Sequence, residues 1–597
     1  MRIVVAVIAL VTCVHAGLWS LLHRQYSSPD FNGQLASVSY SPYTRSQHPD
    51  HGDRPTAEQI RADLRLLSSY TRTIRTYSST GGHELIPGIA AELGLKVTVG
   101  IWLDHDAARN EREIASATAL ARRYSNINAI VVGNETTLRL DLLGDARAVE
   151  ARRSTMTGKT REEQNRDLAE LAVAELVPII KRVKRQSPVP VTTGEIWTVW
   201  IDHPELASEV DFIAAHILPY WDGANVSQVV DQTIVAYDRL RRAHPGKRIL
   251  IAEFGWPSAG YNMQRAVPGR VEQALVIRDF LARAEAYGID YNIVEAIDQP
   301  WKTNEGGVGA YWGLFDAGRA AKFSLTGPIS DPDHWKVAGL ALLLGLLFSL
   351  TIMAKPHATV GEATTLAVAT NLVGAWCAVV FAFWNGHYFV PGAAFALGFG
   401  ILLLIPLVLI ALARIEEIAA IAFGRGPRRL IAAPAAAIDG YAPKVSVHIP
   451  AHKEPPEMLK LTLDAVARLD YPDFECVVVI NNTPDPALWR PVEEHCRALG
   501  ERFKFVCEDK LLGYKAGALR LALSHTADDA KIIGVLDADY VVQPNWLRDL
   551  APTFADPKVD RLAFKACKGP GKTTVEAWMI LNFLGTRPES KIAATSI

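Results

Sequence analysis

No cysteine lies between residues 24 and 335, so that stretch has no disulfides and must rest on its own core. The six cysteines, Cys13, Cys377, Cys476, Cys496, Cys507 and Cys567, fall elsewhere. None shows CxxC-type spacing, which argues against a zinc site. Excess charge is also missing. A formal net charge of -2 implies no nucleic-acid partner. Charge is almost absent from four long apolar runs, 3–22, 336–354, 365–384 and 391–413. Each approaches or exceeds the ~20 residues that cross a bilayer. The first run follows Met1-Arg2 and reads as a secretory signal, with Val14-His15-Ala16 as a fair cleavage site, or as an uncleaved anchor continuing to Leu22. The link Asn385-Gly-His-Tyr-Phe-Val-Pro-Gly, between the third and fourth runs, has no Lys or Arg. Arg2 precedes the first run, Lys355 follows the second, and Arg414, Arg425, Arg428 and Arg429 follow the fourth. The positive-inside rule then puts 24–335 outside and 415–597 in the cytoplasm of a bacterial inner membrane protein.

Between residues 30 and 325, strand-like runs alternate with helical ones. The expected strands are 35–42, 73–78, 96–102, 128–133, 189–194, 211–217, 248–253 and 290–296. Segments such as 57–70 and 271–287 carry apolar residues at three- and four-residue steps, as helices do. Strand alternating with helix means a parallel sheet, and eight such units match a (β/α)8 barrel. A charged insertion around 145–165 lengthens one connection. Glu135 closes the fourth strand, in Ala129-Ile-Val-Val-Gly-Asn-Glu135, and Glu253 closes the seventh, in Ile249-Leu-Ile-Ala-Glu253. Both then sit on the C-terminal rim, where barrels build their sites. Two such carboxyls suit glycoside cleavage: one is protonated and donates to the leaving oxygen, the other is ionised and attacks the anomeric carbon. Asn134 is placed to hold a sugar 2-hydroxyl. Tyr40, Tyr43, Tyr77, Trp102, Trp197, Tyr220, Trp221, Trp256 and Trp301 lie near strand ends, as sugar-stacking platforms or as plain packing.

Val132-Gly-Asn-Glu135, Ala252-Glu-Phe-Gly-Trp-Pro257 and Glu295-Ala-Ile-Asp-Gln-Pro-Trp-Lys302 together resemble glycoside hydrolase family 17, in its bacterial branch. The resemblance covers roughly residues 30–325. It implies a retaining barrel acting on β-glucan, mainly β-1,3-linked, by hydrolysis or transglycosylation, with no cofactor. It also implies Glu135 as acid/base, Glu253 as nucleophile, and substrate contacts that include Lys302 of the strand-eight segment. Gln299 stands where the plant branch often has a Glu.

Residues 444–597 open with the strand Val445–Pro450, a helix around 456–469 and a second strand, Cys476–Ile480. Leu536-Asp-Ala-Asp539 ends a later strand. An Asp-x-Asp there suits Mg²⁺ or Mn²⁺ bridging a nucleotide diphosphate. With Gly513-Tyr-Lys-Ala-Gly-Ala-Leu519 about 20 residues upstream, Pro450-Ala-His-Lys-Glu-Pro-Pro456 and Asn481-Asn-Thr-Pro-Asp485, the segment 444–564 resembles the processive β-glucan synthases of glycosyltransferase family 2, some of which carry a family 17 domain. This implies a GT-A type α/β domain with Glu454, Lys515, Gly517, Asp537 and Asp539 at a UDP-glucose donor site, and Asp537 and Asp539 at the metal. Two departures stand out. Ile480 precedes two asparagines where the family usually has an Asp. The 597 residues also lack the family's acceptor half, with its Thr-Glu-Asp-type base, its Gln-x-x-Arg-Trp motif and further spans, so the transferase part reads as truncated, with a divergent tail over 565–597. Gly569-Pro-Gly-Lys-Thr lacks the Walker A spacing.

The expected organisation is therefore an anchor or signal over 1–23, a barrel over 30–326, three transmembrane helices within 336–414 and the partial transferase. The expected protein is a membrane-bound β-glucan hydrolase or transglycosylase. The alternatives are a bifunctional synthase using UDP-glucose and a glucan-binding assembly subunit without turnover.

Overall fold

The computed structural model describes residues 2–303, 305–424, 441–555, 561–565 and 591–596. Arg425, Arg428, Arg429 and the Gly569-Pro-Gly-Lys-Thr tract lie outside the described residues, as does most of the 565–597 tail. The chain divides into two units, 1–424 and 425–597.

In the first unit eight parallel strands close into a barrel. They are β1 (Val38–Ser39), β2 (Thr73–Arg75), β3 (Lys96–Ile101), β4 (Ile127–Asn134), β5 (Val191–Ile196), β6 (Ile213–His216), β7 (Ile249–Phe254) and β8 (Asp290–Ile293). Val38 pairs with Ile293 to complete the ring. The strands are short apolar runs because both faces are covered, one by helices and one by the barrel interior. Val97, Ile130, Val132, Val191, Ile213 and Ile251 are all completely buried. The expected helix 57–70 runs Ala57–Leu67, with Thr56 accepting from the Gln59 amide at its start. The expected helix 271–287 runs Arg270–Tyr287 and stops at Gly288, whose left-handed φ of 63 favours glycine. The insertion around 145–165 forms the helix Ala146–Ser154 and then the Thr160–Glu163 capping box that starts Arg161–Gln186.

Five strands, β1, β2, β3, β6 and β8, are shorter than expected. Only Val38–Ser39 of 35–42 pairs as a strand, and β8 stops at Ile293 instead of 296. Beyond Ile293 the amides of Val294 and Ala296 still donate to Phe254 O and Ser39 O of the barrel, while those of Glu295 and Asp298 turn to a partner outside it. The Glu295 amide donates to Trp312 O at 3.0 Å, and the Asp298 amide donates to Phe315 O at 2.9 Å. A return segment from Tyr311 to Lys322 therefore braces the strand-eight motif.

Among the described residues four helices are long and apolar enough to cross a membrane: Arg2–Leu22, His334–Ala354, Val360–Gly386 and Pro391–Phe423. The first packs Val4, Val7 and Ile8 against Ile352, Ala363 and Ala367. His15 Nδ1 lies 2.9 Å from Asn371 Oδ1, and Asn371 Nδ2 donates to Ser349 Oγ at 3.2 Å. Polar side chains thus join three helices, as they do where no water competes.

The second unit has a parallel sheet in the order β11-β10-β9-β12-β14-β13. Its strands are β9 (Val445–Ala451), β10 (Phe474–Asn481), β11 (Phe503–Glu508), β12 (Ile532–Val535), β13 (Arg561–Lys565) and β14 (Lys591–Ser596). The expected helix around 456–469 is Pro456–Ala467. The order reverses beside β9, so the crevice at the carboxyl ends of β9 and β12 is the switch point where open α/β sheets bind ligands.

Candidate active site

Glu135 immediately follows β4, and Glu253 lies in β7 one residue before its end. Glu135 has a φ of 51, an uncommon left-handed conformation for a residue with a Cβ. The turn is held from β5: Glu195 accepts the Thr136 amide at 3.0 Å and the Thr137 hydroxyl at 2.6 Å. Burial raises the pKa of Glu195, and the threonine hydroxyls oppose it.

His216, the last residue of β6, stands between the two glutamates. Its Nδ1 lies 2.9 Å from Glu135 Oε1 and its Nε2 3.5 Å from Glu253 Oε1. Arg75 Nη2 approaches Nε2 at 3.4 Å. Arg75 also donates Nη1 to Glu253 Oε1 at 3.2 Å and Nη2 to Asn134 Oδ1 at 2.7 Å. The Tyr77 hydroxyl is 2.9 Å from Glu253 Oε1. One ligand atom each from Glu135, His216 and Glu253 falls within 4.8 Å of the others. Such a trio has the donor atoms of a metal site, but the Arg75 guanidinium already occupies the charge-compensating position beside Glu253 and His216.

Burial raises the pKa of Glu135. The hydrogen bond and charge of His216, with Arg139 and Arg75, lower it more, so this carboxyl sits below its ordinary value. Glu295 is fully buried and receives Lys302 Nζ at 3.0 Å on both oxygens. Burial pushes the Glu295 carboxyl up to about 7, with Lys302 pulling against it.

The structure brings Glu135, Glu253 and Asn134 together. Asn134 spends its Oδ1 on Arg75, so only its amide NH₂ remains for a sugar hydroxyl. Lys302 reaches the site through Glu295. Trp301 donates Nε1 to Gln299 Oε1 at 2.7 Å and packs edge-on to Tyr43. Trp221 is 38% exposed and stacks on Trp312, so it presents a free face. Three expected platforms are corrected. Tyr40, Tyr220 and Trp256 are completely buried. Their polar atoms are committed inward: Tyr40 to Asp63, Tyr220 to Tyr261 O, and Trp256 to Val267 O. They pack the rim and offer no face to a sugar. Arg75, His216 and Glu195 were missed. Of the three only His216 is a lone polar residue in an apolar strand, Ile-Ala-Ala-His216, and that was the available signal.

In the second unit, Lys515 Nζ contacts the Asp537 carboxylate, and Asp539 is exposed. Glu454 is half-buried beside the same sheet end. Gly517 is required sterically, since a Cβ there would meet Leu512 O at 2.1 Å. Asn482 braces the loop before it, exchanging hydrogen bonds with Leu511 O at 2.9 Å and the Leu511 amide at 2.7 Å. Two carboxylates after β12 fit a hard divalent cation in their donor type.

Residues 37–313 match the BtgE/BtgC glycoside hydrolase domain, and residues 446–592 match glycosyl transferase family 2. The chain joins a family 17-like glycoside hydrolase domain to a family 2 glycosyltransferase domain. The second match runs past Phe564. A glucan 1,3-beta-glucosidase of Candida albicans is 27% identical over 292 residues, covering 46% of this chain and 89% of the relative. One from Schizosaccharomyces pombe is 25% identical over 277 residues, covering 44% of this chain and 79% of the relative. For the glucan endo-1,3-beta-glucosidase btgC of Emericella nidulans the identity is 24%, covering 48% of this chain and 44% of the relative. Among solved structures, a glycoside hydrolase family 17 beta-1,3-glucanosyltransferase from Rhizomucor miehei is 22% identical, covers 49% of this chain and 98% of its own, and gives a TM-score of 0.39.

Proposed function

We propose that the barrel cleaves or transfers β-1,3-glucan with retention of configuration, with Glu253 as nucleophile and Glu135 as acid/base. The observation that carries this reading is the pair of carboxylates at the ends of β4 and β7, with oxygens within 4.8 Å. Retaining enzymes hold their carboxyls about 5–5.5 Å apart, whereas inverting ones leave roughly 6.5–9.5 Å for a water. The glucan-active names of the relatives give the substrate class.

In the first step a Glu253 oxygen forms a bond to the anomeric carbon while the glycosidic bond breaks. Glu135 gives its proton to the departing oxygen. In the second step Glu135 takes a proton from water or from a sugar hydroxyl, and that oxygen displaces Glu253. Arg75 and Tyr77 hold the attacking oxygen in place, and His216 orients Glu135. The low free-state pKa of Glu135 suits the base half of the cycle. Its acid half requires that substrate weaken the His216 contact or exclude water from the carboxyl.

The barrel is exported and the transferase domain cytoplasmic, each on one side of the four apolar helices. The family 2 match supports a second reading, a donor site at which Asp537 and Asp539 would hold Mg²⁺ or Mn²⁺ and with it the diphosphate of UDP-glucose. The test of the first activity is laminarin turnover by the full chain, followed by NMR of the first-formed anomer. A β product supports the reading. An α product, or no turnover on any β-glucan, would overturn it.

A further inference from the structure

The link between the third and fourth apolar helices is docked on the barrel. Tyr388 stacks on Tyr311 with ring centres 5.1 Å apart and planes at 16°. Its amide donates to the Tyr311 hydroxyl at 2.7 Å. Its own hydroxyl donates to Asp298 Oδ2 at 3.0 Å and accepts from the Ala317 amide at 2.9 Å. The Arg45 guanidinium lies 5.4 Å from the ring centre.

The carboxylate that Tyr388 reaches belongs to a buried cluster. Asp298 is 1% exposed and Lys322 5%. Lys322 Nζ donates to Asp298 Oδ1 at 2.5 Å, to Ser258 Oγ at 2.7 Å and to Tyr311 O at 3.1 Å. The Gly313 amide donates to Asp298 Oδ1 at 2.9 Å. Ser258 follows Glu253 by five residues, and Asp298 lies between Glu295 and Lys302 in sequence. The cluster therefore ties the chain just after β7 to the chain just after β8, and its last hydrogen bond comes from the interhelical link. A buried carboxylate that loses a donor gains a desolvation cost unless the segment moves to meet water. That movement would be felt at both rim segments.

We propose that Tyr388 is a positioning residue for the barrel's reaction: it completes the Asp298–Lys322–Ser258 cluster, so that Glu253 and the Glu295–Lys302 pair reach working geometry only when the barrel is docked on its apolar helices. This rests on the assignment of Glu253 above. The docked link also makes the helix pair part of the barrel's structure, beyond its use as an anchor.

The experiment uses the full chain in lipid nanodiscs, comparing wild type with Tyr388→Phe, which keeps the ring and removes the hydroxyl. Hydrogen exchange over residues 311–322 reads the contact directly, because the Ala317 amide is bound to that hydroxyl. The expected result is faster exchange there, an unchanged melting temperature within a few degrees, and a kcat on laminari-oligosaccharides lower by roughly five- to tenfold, with KM changed less than about twofold. Combining Tyr388→Phe with Asp298→Ala should add little to the kcat loss of Asp298→Ala alone, since either change removes the hydrogen bond between Tyr388 and Asp298. Unchanged exchange would overturn the docking. Faster exchange with unchanged kcat would overturn the positioning role. A wild type inactive on every β-glucan would overturn the functional reading and the positioning role together, while the exchange difference would still report the contact.

Discussion

His216 Nδ1 lies 2.9 Å from Glu135 Oε1, and of the groups that hold the carboxyl of the acid/base candidate low it stands first. Burial alone would raise the Glu135 carboxyl, and His216 is the first of the groups that bring it down. His216→Ala removes the lowering contact and leaves the raising one, so the Glu135 pKa should go up. The alkaline limb of kcat/KM reports loss of the acid's proton, and it should therefore move to higher pH, with a lower maximum because Glu135 is less well held. A limb that stays fixed or moves to lower pH would refute His216 as the controlling partner.

The two glutamates should separate by chemical rescue. Glu135→Ala should slow natural glucans by roughly 10²–10⁴-fold, the usual contribution of a positioned acid. With an activated aryl glucoside, azide should restore turnover and yield a β-glucosyl azide, since Glu253 still forms the intermediate. Glu253→Gln should bind laminari-oligosaccharides without turning them over. Absence of both azide rescue and azide product would remove Glu135 from the acid/base role.

The barrel was legible because its signal is periodic. Strand and helix patterns alternate along the chain, and strand-end acids such as Glu135 and Glu253 are conspicuous after apolar runs. Residues that reach the site only by closure of the ring were not legible. Arg75 is 178 residues from Glu253 and His216 is 81 residues from Glu135, and nothing local marks either pairing. Tyr40, Tyr220 and Trp256 were misread for a different reason. Successive side chains leave a strand on opposite faces, and beyond the last paired residue that alternation lapses, so nearness to the rim does not tell which way a ring points. The docking of Tyr388 had no sequence signal at all, since an uncharged link between two apolar runs reads only as an exported turn.

Lys302→Met should destabilise the barrel by about 3 kcal/mol, because it strands a buried carboxylate. The loss should depend on pH. Glu295 is already raised to about 7 by burial, and without Lys302 it rises further. A folded-state pKa above the unfolded value gives stability that is present at low pH and lost as pH rises through the folded pKa. The melting temperature of Lys302→Met should therefore lie closer to wild type at pH 5 than at pH 8. A deficit that is larger at pH 5 would mean that Glu295 is not the partner that matters.

Reporter fusions test the proposed topology. A fusion after residue 330 should report the exported side and one after residue 430 the cytoplasmic side, with three apolar helices between them. The same compartment at both points would separate neither domain from the other and would remove the reading in which a cytoplasmic donor feeds an exported barrel.

The transferase domain makes a prediction that does not depend on the barrel. Asp537 is held by Lys515, so a divalent cation must compete with an ammonium for one of its two carboxylates. Asp539 is exposed and open to a cation from the outset. Mn²⁺ should therefore bind the full chain weakly alone and more tightly with UDP, whose diphosphate supplies further oxygens and negative charge to offset Lys515. Lys515→Met should strengthen Mn²⁺ binding in the absence of nucleotide and weaken the gain from UDP, because the lysine then no longer helps to neutralise the diphosphate. Asp537→Ala and Asp539→Ala should each weaken the UDP-dependent binding, read by Mn²⁺ electron paramagnetic resonance. Mn²⁺ binding that is indifferent to both aspartates would place the metal elsewhere and leave Asp-x-Asp as an ordinary pair of strand-end acids.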